Sequence, residues 1–596
     1  MDNRTTLATV QGSPMTPACE QTESVSPNPL DALTRSALGR MTQGLSPAAM
    51  IQAYMDWLVH LAISPGKQQE LREKAQRKLT RLLLHETQLI HGAPAPCIEP
   101  LPQDERFKLP DWQRPPFLSY YQSFLLLQQW WWNATTGVHG VTRHHEYMAT
   151  FFARQWLDIF SPSNFLPTNP EVLSETVRTA GMNLAQGAAN LWEDALAQAA
   201  GKPPAGAEQF QVGKNLALTP GKVVLRNRLI ELIQYAPRTV TVHPEPVLIV
   251  PSWIMKYYIL DLSPANSLVK YLVDAGHTVF MLSWKNPGAE DRELGMEDYL
   301  RDGVLAALDA VSSVVPRHKI NAVGYCLGGT LLGIAASALA RDGDARLNSL
   351  SLLASELDFT EPGELSLFID ESQVAFLEDA MWTQGYLDGK QMAGAFALLN
   401  SKDLVWSKMI HSYLMGQRAP LTDLMAWNID ATRLPYRMHS EYLRQLYLDN
   451  DLAEGHYRVG GRPVALTDIR VPMFVLGTQR DHVSPWRSVY KAHLLTDTEV
   501  TFVLTSGGHN VGVVNPPGAD FPGRGYQVTT RAADAPFIDP DAWAAQTPSR
   551  QGSWWPAWEA WLHRRAGKRI APPPMGGGTK VYVAIGDAPG QYVLTP

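Results

Sequence analysis

The sequence predicts an α/β fold, and three observations carry that prediction. Apolar runs such as Val247-Leu248-Ile249-Val250, typical of strands buried on both faces, alternate with stretches of helical spacing. One such strand, Ile320-Asn321-Ala322-Val323, runs into Gly324-Tyr325-Cys326-Leu327-Gly328-Gly329 and then into the helical-looking Thr330-Leu331-Leu332-Gly333-Ile334-Ala335-Ala336. The chain has 596 residues, more than one hydrophobic core normally supports, so two units or a large insertion are expected.

Bulk properties narrow the class. A net charge of −7 gives neither a basic stripe for nucleic acid nor an acidic tail. The three cysteines, Cys19, Cys97 and Cys326, argue against a disulfide framework and for a reducing compartment, with the cytoplasm as default. No stretch approaches the roughly 18 apolar residues of a transmembrane segment. No cofactor and no metal site are expected.

In chain order, residues 1–35 are rich in Ser, Thr, Pro and Gln and read as a disordered N-terminal segment. Residues 36–205 read as an α-helical N-terminal domain. Met50, Tyr54, Trp57, Leu58 and Leu61 recur at helical spacing, and helical stretches follow at 71–89, 151–160 and 170–196. The apolar stretch 124–132, which ends in Trp130-Trp131-Trp132, has two readings: a helix buried against the next domain, or a surface for an apolar product or partner.

Residues 206–570 read as the α/β domain. Helix 268–275 leads to strand 278–284, helix 296–315 leads to the strand before Cys326, and 350–354 supplies another strand. The mostly helical stretch at about 358–468 breaks the alternation and is too long for a loop, so it is expected to form a cap. Strands return at 473–476 and 500–504. Beyond Gly518 the chain reads as loop apart from 554–562, and residues 571–596 read as a flexible C-terminal tail.

The turn at Cys326 has the pattern of a nucleophile elbow with sulfur in place of oxygen. In the Gly-x-Ser-x-Gly form the central residue sits on a strained strand-to-helix turn, flanked by glycines that avoid Cβ clashes. A buried structural cysteine is the competing reading. Downstream residues favour the first. Asp481 follows one late strand and His509 follows the next, both at carboxyl ends, where open α/β sheets bind ligands. The order nucleophile, acid, histidine is that of the α/β-hydrolase fold. His482, beside the acid, competes as base but suits a supporting place next to Asp481.

These residues carry a resemblance. Gly324-Tyr325-Cys326-Leu327-Gly328-Gly329, Lys256-Tyr257-Tyr258-Ile259-Leu260-Asp261-Leu262, Gly276-His277-Thr278-Val279-Phe280, Asp403-Leu404-Val405-Trp406, Trp427-Asn428, Asp430-Ala431-Thr432, Asp481-His482, Gly508-His509 and Asn515-Pro516-Pro517 resemble a polyhydroxyalkanoate synthase of the single-subunit type. The similarity runs from about 106 to 562. It implies 3-hydroxyacyl coenzyme A substrates of short chain, an active homodimer and attachment to polyester granules. It implies that Cys326 is acylated, that His509 activates it, and that Asp481 assists the histidine or the incoming hydroxyl.

Two stretches depart from the family pattern. Where the family reads Arg-Pro-Asn before Asp-Leu-Val-Trp, this chain has Asn400-Ser401-Lys402, so Lys402 would meet coenzyme A as a point charge without the fork of an arginine. Asn450 is the other candidate for the substrate channel. The family's Pro-Pro-x-Ile-Asn-Lys becomes Pro251-Ser252-Trp253-Ile254-Met255-Lys256, which leaves the backbone amides of Trp253 and Leu327 as candidate oxyanion donors. Two further hypotheses stand beside the synthase: a cysteine-dependent thioesterase or hydrolase of the same fold, and a non-catalytic granule scaffold.

Overall fold

The structure is a computed structural model that describes residues 28–42, 44–92, 96–102, 104–399, 405–518, 523–578 and 581–596. Its centre is an 11-stranded sheet. In chain order the strands are β1 (Gly221–Arg226), β2 (Ile230–Tyr235), β3 (Val247–Val250), β4 (Val279–Trp284), β5 (Ile320–Tyr325) and β6 (Leu347–Leu353). After the insertion come β7 (Met473–Thr478), β8 (Val500–Thr505), β9 (Gly525–Arg531), β10 (Ser549–Gln551) and β11 (Gly586–Asp587). Their spatial order is β10-β9-β8-β7-β6-β5-β3-β4-β2-β1-β11. The run from β4 through β8 is parallel, and the flanks are antiparallel. β3, β5 and β7 are buried along their whole length, which explains their unbroken apolar or small-residue sequences.

Helices α1 (Pro29–Met41), α2 (Pro47–Ala62), α3 (Pro65–His91), α4 (Phe117–Thr135), α5 (Arg143–Ile159), α6 (Pro170–Arg178) and α7 (Met182–Ala199) precede the sheet. Their starts are encoded locally. Asn28 accepts from the Leu30 amide with proline at the next position, and Ser46 and Asn169 cap the proline-led α2 and α6 in the same way. That device makes 29–35 helical, against the expectation of disorder to residue 35, while 1–27 lie outside the described residues. α1 then docks on the segment between β6 and β7, where Arg35 pairs with Asp379 at 2.5 Å and Ala32 is fully buried. The side chain of Gln373 binds both the Ser46 amide and the Gly44 carbonyl, stitching the next turn to the same helix (α9, Glu371–Trp382, with α8 being Leu327–Arg341).

The stretch 124–132 is divided, and its buried side packs within the N-terminal helices rather than against the next domain. Phe124, Leu125 and Leu126 are buried with Trp112 and Tyr121, while Leu127 and Trp132 stand on the surface. No helix among the described residues is long and apolar enough to cross a membrane.

The C-terminal expectations need correction. β9 and β10 lie in the stretch read as loop, because β9 is a half-buried, partly polar strand on an antiparallel flank, with Thr529 and Thr530 exposed, and β10 is exposed throughout. Residues 581–596 form no flexible tail. β11 pairs with β1, Val593 is buried, and the Glu231 carboxylate accepts from the amides of Gln591 and Tyr592. The Pro- and Gly-rich 572–578 reads as a linker, but the outer edge of β1 and the fully buried Glu231 both need partners, and residues 586–592 beyond it supply them.

The sheet's back face is sealed by α10 (Trp555–His563), on which Trp555, Trp558 and Trp561 are buried together with Trp554. Their indole N–H groups all find acceptors: Gly512 and Val513 carbonyls for Trp554 and Trp555, the Ser351 hydroxyl for Trp558 and the Thr501 hydroxyl for Trp561.

Candidate active site

Cys326 joins β5 to α8 with φ 53° and ψ −129°, a backbone conformation that side chains rarely adopt. Its amide donates to the Leu353 carbonyl at 2.9 Å, fixing the turn to β6. The flanking glycines are required by space. A Cβ on Gly324 would stand 2.2 Å from the Gly329 Cα, and one on Gly329 would stand 2.0 Å from the Ser355 hydroxyl. At Gly328 it would meet the Val250 and Pro251 carbonyls at 2.2 and 2.5 Å, so the start of α8 and the loop carrying Trp253 touch backbone to backbone. The thiol is therefore held at a helix N-terminus, partly exposed and free of disulfide bonding.

His509 begins a short helical turn after β8, and its Nδ1 lies 2.8 Å from Asp481 Oδ2. Its imidazole also lies within the electrostatic reach of Cys326. Asp481 is committed on every side. The Thr478 hydroxyl donates to Oδ2 at 2.9 Å, and the amides of Val483 and Ser484 donate to Oδ1 at 3.0 and 2.8 Å. Burial alone would raise the Asp481 carboxyl, but the charge of His509 and these hydrogen bonds hold it below the usual carboxylate range. Burial likewise opposes a proton on His509, yet the charges of Asp481 and Cys326 outweigh it and raise the imidazole well above the ordinary histidine value. Trp554 and Trp555 bind carbonyls of this same turn, so the back-face helix fixes the ring's position. Tyr325 adds a bond to Asn510 at 2.6 Å.

The segment between β6 and β7 reaches over this group. Tyr442 and Tyr447 are hydrogen-bonded to each other at 3.1 Å and feel the charge of Cys326. A residue that sequence reasoning missed, Glu356, just past β6, is close enough for the charges of Asp481 and Cys326 to act on it and for its own to act on Tyr442 and Tyr447. It is 3% exposed, its Oε1 has no hydrogen-bond partner, and burial followed by the charges of Asp481 and Cys326 raises it well above the carboxylate range. Its position beyond a strand's carboxyl end was the available signal.

The other expected residues separate. Trp253 is buried, its ring packing against Trp284, Tyr299 and Tyr442, and its carbonyl accepts from Thr432 at 2.6 Å. Leu327 follows the nucleophile as the first residue of α8. His482 follows Asp481 in the same turn, and its carbonyl accepts from the Glu364 amide at 3.0 Å. Asn450, expected in a channel, has its side chain committed elsewhere. Its oxygen accepts from the Phe359 amide at 2.8 Å and its nitrogen donates to Asp358 and Thr360, closing the junction between the helical segment and β6. Lys402 lies outside the described residues.

Comparison with known proteins gives concordant matches. The family described as poly-beta-hydroxybutyrate polymerase (PhaC) N-terminus matches residues 103–272, and poly-beta-hydroxybutyrate polymerase N terminal matches 26–67. The alpha/beta hydrolase fold matches 245–516. A poly(3-hydroxyalkanoate) polymerase of Methylorubrum extorquens is 40% identical over 503 residues, covering 84% of this chain and 82% of that protein. A poly(3-hydroxyalkanoate) polymerase subunit of Rhizobium etli is 36% identical over 583 residues, covering 96% and 89%. That of Cupriavidus necator is 34% identical over 580 residues, covering 96% of both.

Proposed function

The chain belongs to the poly(3-hydroxyalkanoate) polymerase family, and from that premise we propose that it builds polyester from short-chain (R)-3-hydroxyacyl coenzyme A through an acyl group carried on Cys326. The observation that carries this reading is the line from Cys326 through His509 to Asp481, with the 2.8 Å bond that orients the imidazole.

His509, raised by its partners, already holds the thiol proton as Cys326 sulfur attacks the thioester carbonyl. The carbonyl oxygen becomes an oxyanion in reach of the Leu327 and Trp253 amides, and the carbon–sulfur bond to coenzyme A breaks. The proton on His509 goes to the departing thiol. In the second half the hydroxyl of another 3-hydroxyacyl unit gives its proton to His509 and attacks the acyl-cysteine. An ester bond forms, the acyl–Cys326 bond breaks, and the proton stays on His509 beside the released sulfur. Asp481 keeps Nδ1 protonated and directs Nε2 at the reacting atoms throughout. Tyr442 and Tyr447 overhead support exclusion of water, the property that separates polymerisation from hydrolysis. Lys402 is proposed to meet the coenzyme A phosphates as a point charge.

Attachment to a granule is supported by apolar side chains on the surface of the N-terminal helices: Ile51, Met55 and Val59 on α2, and Leu79 and Leu83 on α3. A cytoplasmic homodimer bound to polyester granules is the corresponding assembly. The test is product partition with (R)-3-hydroxybutyryl coenzyme A. The synthase reading expects coenzyme A release matched by extractable polyester, with both lost in Cys326→Ala. Release matched mole for mole by free hydroxy acid would replace it with the hydrolase reading.

A further inference from the structure

The parallel strands have a second end, opposite Cys326. There α10 presents Glu559 and His563, four residues apart and so on one helical face, toward the segments that lead into β3 and β4. Those segments carry His243 and His277. One ligand atom from each of His243, Glu559 and His563 lies within 4.8 Å of the others. His243 Nε2 and His563 Nδ1 are 3.4 Å apart with their rings at 86°. Two nitrogens bound tetrahedrally to one zinc ion at its usual bond length stand about 3.4 Å apart.

The surroundings are polar groups in want of partners. His277 is 1% exposed, its ring centroid lies 4.5 Å from that of His243, and neither of its nitrogens has a hydrogen-bond partner. Nδ1 of His243, itself 2% exposed, is also unpartnered. Buried polar atoms are seldom left so. His277 Nε2 stands 3.8 Å from Glu559 Oε1.

We propose that His243, Glu559 and His563 form a binding site for a divalent transition-metal cation of the zinc type, with His277 orienting Glu559 from behind. Two imidazoles and one carboxylate suit zinc over magnesium or calcium. The bound ion ties α10 to the amino ends of the central strands. One group competes: Arg569 Nη2 lies 3.3 Å from His243 Nε2 and also donates to the Ala275 carbonyl. Arg569 is exposed, and its guanidinium swings outward when the cation enters.

The test uses the full chain, stripped with chelator and titrated calorimetrically with zinc and, separately, magnesium. Titrating Cys326→Ala in parallel removes any contribution from the thiol. One zinc per chain with a raised Tm is expected, and no saturable magnesium binding. His563→Ala and Glu559→Gln should each weaken zinc about tenfold or more, Arg569→Gln should strengthen it, and polymer formation by His563→Ala should stay near that of the parent chain. Zinc affinity unchanged in both His563→Ala and Glu559→Gln, or no saturable zinc binding in the parent, overturns the site.

Discussion

His509 Nδ1 and Asp481 Oδ2 are 2.8 Å apart, and the second oxygen of Asp481 is held by two backbone amides from its own turn. The pair therefore acts on protonation as well as on position. A histidine raised by its partners contributes stability that is fully present below the unfolded value of about 6.5 and is lost as pH rises through the higher folded value. The Tm deficit of His509→Gln should be largest near pH 6 and shrink toward alkaline pH. A deficit that grows with pH would mean that the folded imidazole is neutral instead.

Trp554 reaches from the back face to the Gly512 carbonyl in the His509 turn at 2.9 Å. Trp554→Phe keeps most of the apolar volume and removes the donor, leaving a buried carbonyl unpaired. Stability should fall by about 1–3 kcal/mol, and kcat should fall more than KM changes, because the lost bond fixes the base rather than the substrate. An unchanged kcat in steady-state assays would show that the turn is rigid without it.

Gly328→Ala puts a methyl 2.2 Å from the Val250 carbonyl. Both partners are backbone, so the start of α8 and the Trp253 loop must separate, and the proposed oxyanion amides separate with them. We expect kcat to drop about 100-fold or more, with Cys326 still open to alkylation by a small reagent. Near-normal turnover in a folded Gly328→Ala would remove Leu327 and Trp253 from the mechanism.

Much of this site could be read from the chain because each element announces itself locally. Cys326 carries its glycines with it, and Asp481 and His509 each follow an apolar strand at the end where such sheets bind ligands. What escaped reading depends on contacts far apart in sequence. Glu356 follows a strand's carboxyl end, but its burial and the charges of Asp481 and Cys326 that raise its carboxyl are brought to it only by the fold. The pairing of β11 with β1 joins residues more than three hundred apart, and its local composition is that of a linker. Asn450 looked like a ligand group because its clasp to Phe359 and Asp358 exists only after folding.

Removing residues 581–596 tests that last strand. The deletion strips β1 of its partner, leaves buried Glu231 without the two amides it accepts from, and frees Lys256, which donates to the Thr595 carbonyl at 2.5 Å. Lys256 closes the loop that begins at Pro251, so the loss should spread to the nucleophile's neighbourhood. Tm should fall by several degrees, with a fall of about tenfold or more in kcat/KM. A truncated chain with parental Tm would restore the reading of this segment as a free tail.

Glu356 gives a prediction of opposite sign. Its carboxyl is pushed up by burial, then by Asp481 and Cys326, and Oε1 has no partner. A group raised in the folded state favours folding fully only below its unfolded value, about 4.3, and that favour drains away as pH rises through the folded value. Glu356→Gln cannot ionise and loses nothing over that range. The variant should therefore melt close to the parent near pH 4 and above it at neutral pH, by about 2 °C. Activity supplies the second reading. With a neutral side chain of the same shape in either case, kcat at pH 6 should be close to parental, and the two pH profiles should diverge only on the alkaline side. A variant less stable than the parent at pH 8 would show that the carboxyl is ionised and paired, and that Tyr442 and Tyr447 or a bound water stabilise the anion.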